Sequence, residues 1–326
     1  MAGSFRTRWS GTVVSILLTI ILGAYFLSAD VLVAASGKLL DADPLLMTAC
    51  VLMMMAHTFV RALRIGVVVD RENQPALLTG TCAVQSTIGM LAPSGLSHIA
   101  FIFLLKKLHA VNLARIFTGM IAIRIVDVFL LGMLTLAIVP YYHGVLSGSK
   151  ISGGTLTGLI VGTVTVAGMA LYLVIRGARR SDHEHTAARA GWLLGNLDRL
   201  RHELARTGGK ILLWRTLFLT GSIWITQFGV YGLMYLAMGF EISLSGGILA
   251  FLVLTVINIM PVHGIAGIGT HHLAWFVALS TAGVADETAR LAAATSHFLL
   301  IIVYLVIAVP GILLVLHGTR SVPHGT

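Results

Sequence analysis

The chain has 326 residues, of which 57% are hydrophobic and 11% charged, with a mean hydropathy of +0.92 and a formal net charge of +9. These values exclude an ordinary water-soluble domain, because apolar runs of the roughly 20 residues that cross a bilayer recur along the whole length. The basic residues are spread between those runs as a topology signal, which excludes a nucleic-acid-binding surface.

In chain order, Arg6 and Arg8 precede a first apolar stretch that continues to about Val33 with no small-residue cleavage site, so it is expected to stay as an anchor. Spanning helices are expected at 11–33, 45–69, 113–139, 154–176, 211–238 and 289–316, six in all. Two further apolar stretches, 76–108 and 244–284, are interrupted by Met90-Leu-Ala-Pro-Ser-Gly95 and Met260-Pro-Val-His-Gly264. Each reads as a re-entrant hairpin of two half-helices, since unwound backbone at membrane depth is tolerated only under a cover of protein or beside a water-filled cavity. Cys50 and Cys82 lie in apolar segments without metal-knuckle or disulfide spacing and are expected to be packing residues.

Charge gives an independent count. With a cytoplasmic N-terminus, Arg71, Lys106, Lys107, Arg115, the basic run from Arg176 to Lys210 and Arg320 fall inside. Asp30, Asp41, Asp43, Glu241, Asp286 and Glu287 fall outside, and Lys38, Lys150 and Arg290 go against the pattern. The basic cytoplasmic segment 177–210 carries Trp192, Leu193, Leu194, Leu197 and Leu200 among Arg and His, as in an interfacial amphipathic helix or a solvated basic loop.

The expected fold is thus an all-α integral membrane protein of six transmembrane helices and two oppositely oriented re-entrant hairpins. It forms a single membrane domain over 1–326, with a first repeat half at 1–140 and an inverted second half at 141–326. A faint internal echo accompanies it: Ser97-His-Ile-Ala-Phe101 follows the first break as His271-His-Leu-Ala-Trp275 follows the second. Inverted repeats with broken helices are the architecture of secondary transporters, in which substrate binds at the breaks.

Each break leads into a half-helix N-terminus, whose free N–H groups and positive dipole end favour an anion such as a phosphate, or else merely mark a close-packed helix break. Pro93, Ser94, Gly95 and Ser97 open one half-helix, while Pro261 and His263 lie in the second break and Gly264, Gly267, Gly269 and Thr270 let that backbone approach a ligand. Arg124 and Asp127 stand at i and i+3 in an apolar span, where they can pair with each other or meet a lipid phosphate. Arg61 and Arg64 sit near a helix end, where snorkelling explains them as well as binding does. His98, His263, His271, His272 and His297 fall in or beside the breaks or the last helix, each readable as a hydrogen-bonded interior group or a titrating one. Asn258, Ser296 and Tyr304 are further polar candidates. No His-x3-His pair or carboxylate cluster accompanies them, so neither a metal site nor a cofactor is expected.

The second break, Ile259-Met-Pro-Val-His-Gly-Ile-Ala-Gly-Ile-Gly-Thr-His-His272, resembles the Pro then Gly-x-Gly-x-x-Glu signature of the lysylphosphatidylglycerol synthase transmembrane, or flippase-like, family. Pro93, Lys106, Lys107, Arg124, Asp127 and the Arg-Ala-Leu-Arg run at 61–64 agree with it, and the resemblance covers nearly the whole chain. His98 and His272 stand where the family tends to have Glu, Gly89 where it has Asn, and Ile123 where a Glu often precedes the Arg. Losing two carboxylates from a cavity favours a more anionic headgroup, or proton coupling, over a cationic aminoacyl lipid. The aminoacyl-transfer domain of the two-part synthases has no counterpart after His317, so that activity is not expected.

The resemblance and the residues together imply a bacterial inner-membrane protein with both termini cytoplasmic that moves a phosphate-bearing lipid between leaflets. Its expected partners are membrane lipids, an anionic phospholipid or a polyprenyl-phosphate-linked sugar. The alternatives are a membrane-embedded lipid-phosphate transferase with a histidine base, or a non-transporting accessory of a glycosyltransferase docked through 177–210.

Overall fold

The computed structural model describes residues 16–17, 19–92, 94–146, 209–259 and 265–321. Among these, all regular structure is helical. The helices are α1 (Thr19–Phe26), α2 (Ala29–Leu40), α3 (Pro44–Val69), α4 (Pro75–Leu91), α5 (Ser94–His109), α6 (Leu113–Leu146), α7 (Gly209–Ala237), α8 (Leu244–Ile259), α9 (Thr270–Thr281) and α10 (Asp286–Ser321). A 3-10 turn at Ile265–Gly267 precedes α9.

Helix boundaries follow local chemistry. Asp43 caps α3, its Oδ1 accepting the N–H groups of Leu45 at 2.8 Å and Leu46 at 3.0 Å, with Pro44 at the first position, where no N–H is needed. Asn112 caps α6 through the Arg115 N–H at 2.8 Å, and Ser243 caps α8 through the Gly246 N–H at 3.1 Å. Gly239 and Gly283, with φ of 67° and 87°, close α7 and α9 in the left-handed conformation that glycine adopts without steric cost.

Among the described residues four helices are long and apolar enough to cross a membrane, in α3, α6, α7 and α10, and the bent pair α1 and α2 makes a fifth candidate. The chain is a multi-pass membrane protein. Lipid is the environment its surface fits: Val33, Leu45, Phe218 and Ile225 are each more than 70% exposed. The expected spans at 45–69, 113–139, 211–238 and 289–316 correspond to α3, α6, α7 and α10. The two Pro/Gly breaks fall where expected, with α4 and α5 meeting at 92–93 and α8 and α9 separated by 260–269. The span at 154–176 and the basic segment 177–210 lie outside the described residues.

The first span differs from expectation: α1 and α2 meet at a 68° bend. Ser28 is extended there (φ −64°, ψ 158°), and its hydroxyl accepts a hydrogen bond from Arg290. Arg290 also lies over the Tyr25 ring, 5.3 Å from its centre. The hydropathy pattern cannot show this bend, and the contact that accompanies it joins residues 262 positions apart. Arg290, which goes against the charge pattern, thereby has a role in packing.

Two compact units divide the chain. The first comprises Met1–Phe59, Thr79–Phe101 and Trp224–Thr326, and the second Val60–Leu78 and Ile102–Ile223. In the first, α9 packs on both α8 and α10, and α2 lies against α10. Its core is aromatic: Trp275 meets Tyr231 and Tyr235 edge-on at 4.9 and 5.2 Å, and Phe251 meets Phe228 at 5.8 Å. Cys50 and Cys82 are both fully buried free thiols, as packing residues would be. The α4–α10 contact has no room for side chains. A Cβ on Gly80 would lie 2.6 Å from the Gly311 carbonyl oxygen, and one on Gly311 would lie 2.5 Å from the Ala83 Cβ.

Candidate functional site

In the first unit the chain enters α9 through three left-handed residues, Ala266 (φ 54°), Gly267 (φ 73°) and Gly269 (φ 85°). This path brings Thr270, His271 and His272 to the first turn of α9. The Thr270 hydroxyl donates back to the Gly267 carbonyl at 3.3 Å. His272 Nδ1 accepts the Gly269 N–H at 3.2 Å, which satisfies one of the donors that a helix start leaves open. In a neutral ring the proton is therefore on Nε2.

His297 of α10 completes the cluster. Its ring centre is 4.8 Å from that of His272 and 4.9 Å from that of His271. Phe26 stacks on His272 at 5.9 Å, and Trp275 lies 6.3 Å from His271. His272 and His297 are 0% and 1% exposed. Among the described residues His272 Nε2, both nitrogens of His297, His271 Nε2 and Trp275 Nε1 are buried without a hydrogen-bond partner. Such a concentration of unmet capacity is rare, since buried polar groups are normally paired.

The second unit holds a charged knot. Arg64 of α3 donates to Asp127 of α6 at 2.5 Å and to the Thr220 hydroxyl of α7 at 3.1 Å. The expected pairing of Arg124 with Asp127 is thus replaced: the carboxylate is taken by Arg64, and Arg124, one turn away, is exposed. Arg64 is 9% exposed and does not snorkel. The i, i+3 spacing of Arg124 and Asp127 allows a local pair, but a buried guanidinium from another helix has more to gain from the carboxylate than an exposed one does. Beside the knot is a cleft of about 180 Å³ lined by Leu63, Gly66, Val67, Leu78 and Phe218, with the ion pair of Arg215 and Glu72 in its wall.

Outside the spans of the second unit, Arg71 caps α5, donating from Nε to the His109 carbonyl at 2.8 Å. The buried His109 ring faces Gln74 Oε1 at 2.8 Å. Burial, together with the Arg71 charge, pushes the His109 pKa down to about 4.

The expected site residues belong to both units, with Arg124 and Asp127 in the second. Gly267, Gly269, Thr270, His271 and His272 come together with His297, singled out in the sequence as a histidine of the last helix, and with Trp275 and Phe26, members that sequence reasoning did not assign. Ser97 is buried and His98 exposed on α5, so His98 and His272, aligned by the internal echo, differ in burial. Ser94 and Gly95 begin α5, and Asn258 lies near the end of α8. Pro93, Pro261, His263 and Gly264 lie outside the described residues. No arrangement of three His, Cys, Asp or Glu suited to a metal occurs among the described residues.

Apolar spanning helices, a lipid-compatible surface and charged groups held within the spans define a polytopic α-helical membrane protein. Residues 12–308 match the family described as the lysylphosphatidylglycerol synthase TM region, and the chain belongs to that family. No curated protein and no solved structure matches it.

Proposed function

We propose that this protein moves a phosphate-bearing lipid, an anionic phospholipid or a polyprenyl-phosphate-linked sugar, between the leaflets of the bacterial inner membrane. The observation that carries this reading is Arg124, an exposed cation 11 residues into α6. At a rise of about 1.5 Å per residue it stands roughly 16 Å along the helix, near the middle of a hydrocarbon core about 30 Å thick. A charge there costs at least about 2.5 kcal/mol unless water or a counter-ion meets it. Asp127 is occupied by Arg64, so Arg124 is the group we assign to the lipid phosphate. Arginine suits this role because its planar fork binds phosphate oxygens in pairs. Membership in a lipid-related membrane family supports the same substrate class.

The topology we attach to this function has six spans, two oppositely oriented hairpins at the 92–93 and 260–269 breaks, inverted halves at 1–140 and 141–326, and cytoplasmic termini. The headgroup would be exposed to each leaflet in turn while the tails stay in the bilayer.

Reconstitution tests the proposal. In proteoliposomes with a fluorescent anionic phospholipid, a membrane-impermeant quencher should reach the inner-leaflet label rapidly with the wild type. With Arg124→Ala the rate should fall at least tenfold. Protection of half the label in wild-type vesicles, as in protein-free ones, would sink the reading.

A further inference from the structure

The α9 N-terminus is built to receive something that the described residues do not supply. The backbone N–H of Gly269 is met by His272 Nδ1. That bond uses the one acceptor of the neutral ring, which leaves Nε2–H as a donor and nothing else. His297, on α10, is turned into the same place: a Cβ on Gly267 would lie 3.5 Å from His297 Cε1 and 3.8 Å from the His271 Cβ. Both nitrogens of this ring are also buried without a partner, so whichever of them is protonated can donate. Around them are the positive end of a 12-residue helix and, among the described residues, no carboxylate acting on any of the three rings.

Two ligand chemistries fit a histidine cluster, a metal cation or an oxygen acceptor. A metal site takes three or four ligand lone pairs, and with that of His272 already given to Gly269 at most those of His271 and His297 remain. An oxyanion needs N–H donors, and the site offers those of His272 and His297 at a helix N-terminus. Ala266, Gly267, Ile268, Thr270 and His271 are partly exposed and form the side from which a ligand would enter. Phe26, itself buried, stacks on His272.

We propose that the N-terminus of α9, with His272 and His297, is a binding site for the oxyanion of a phosphate group, either of a lipid headgroup or of a free phosphate ion. The lipid source rests on the translocator reading, whereas the anion chemistry does not. His297 is the addition that matters most, because it comes from a different helix and couples α10 to whatever occupies the break.

The test is calorimetric titration of the purified full-length protein with short-chain phosphatidic acid, with inorganic phosphate and with Zn²⁺. His297→Leu and His297→Gln are compared with the wild type, and the melting temperature of each unliganded protein is measured. The wild type should bind short-chain phosphatidic acid. His297→Leu should bind it at least tenfold more weakly yet melt at a higher temperature, because two unpartnered buried nitrogens have been replaced by a packed apolar group. His297→Gln, which keeps an N–H donor, should recover part of the affinity. Binding of inorganic phosphate as well would make the free ion the minimal ligand; binding of the lipid alone would make the headgroup the source. Unchanged affinity in His297→Leu, no binding of either phosphate probe, or Zn²⁺ binding lost in His297→Leu would overturn the proposal. Lipid movement that persists alongside unchanged phosphate affinity in His297→Leu would remove this site and leave the translocator. Phosphate binding without lipid movement would do the reverse.

Discussion

Asp127 is worth more to the fold than its exposure indicates, because the charge it neutralises is buried. Removing one partner of such a pair leaves an uncompensated ion and typically costs about 3–5 kcal/mol, whereas replacing both by apolar groups is often close to neutral. Asp127→Ala should therefore lower the unfolding free energy in detergent by about that amount, and Arg64→Met with Asp127→Leu should regain most of it. A small effect of Asp127→Ala would mean that Arg64 reaches water instead. Gly267→Ala isolates a different effect. The added methyl would make ordinary contact with His297, so its cost of about 1–2 kcal/mol should come from the left-handed backbone at φ 73°. The roles of these residues were only partly legible in the sequence. The importance of Asp127 followed from a charge in an apolar run, but its partner lay 63 residues away and no periodicity connects the two. His297 was visible as a histidine in a span, yet only the fold shows that its ring lies within 5 Å of two others.

Helix contacts in this protein depend on where backbones touch. The α4–α10 contact admits no Cβ at Gly80, where the nearest atom is a backbone oxygen that cannot rotate away. Gly80→Ala should push the helices apart and destabilise the protein by about 1–3 kcal/mol, as overpacking does elsewhere. Gly37 in α2 has nothing within 4 Å of its would-be Cβ, so Gly37→Ala should stabilise α2 by about 0.5–1 kcal/mol. Thermal unfolding of the two variants side by side separates a packing glycine from a merely permissive one. The α5 terminus adds a pH dependence. The folded-state pKa of His109 lies near 4, below the ordinary 6.5, so the unfolded chain binds more protons between these values. This contribution to stability is complete above about pH 6.5 and is lost as the pH falls toward 4. Melting temperature measured from pH 7.5 to 4.5 should decline less steeply for His109→Gln than for the wild type. Equal slopes would show that His109 does not set the dependence. At this scale the sequence was informative: runs of apolar residues marked helices, and Pro and Gly marked the breaks, whereas the caps at Asp43, Asn112 and Ser243 emerged only in the structure. The bend between α1 and α2 escaped because the Ser28–Arg290 bond that accompanies it is a tertiary contact.

For the whole molecule, hydropathy and charge identified a membrane protein because the bilayer imposes the same demand on every crossing segment: backbone groups must be paired within a helix and apolar side chains must face lipid. The family was legible for a related reason, since the glycine, proline and arginine positions that mark it are those at which helices break or carry charge. How the helices associate was harder to read. The first unit draws on three separate stretches of the chain, and helix association in lipid depends on close packing of small residues more than on any apolar period. In the proposed function, a cation within the spans selects lipids by their phosphate. The most direct test is competition within one population of proteoliposomes, in which a phosphate-bearing lipid and a phosphate-free glycolipid with the same acyl chains carry distinguishable fluorophores. The phosphate lipid should cross at least tenfold faster with the wild type, and Arg124→Glu should abolish this preference. Equal rates for the two lipids, or a preference unchanged in Arg124→Glu, would contradict it.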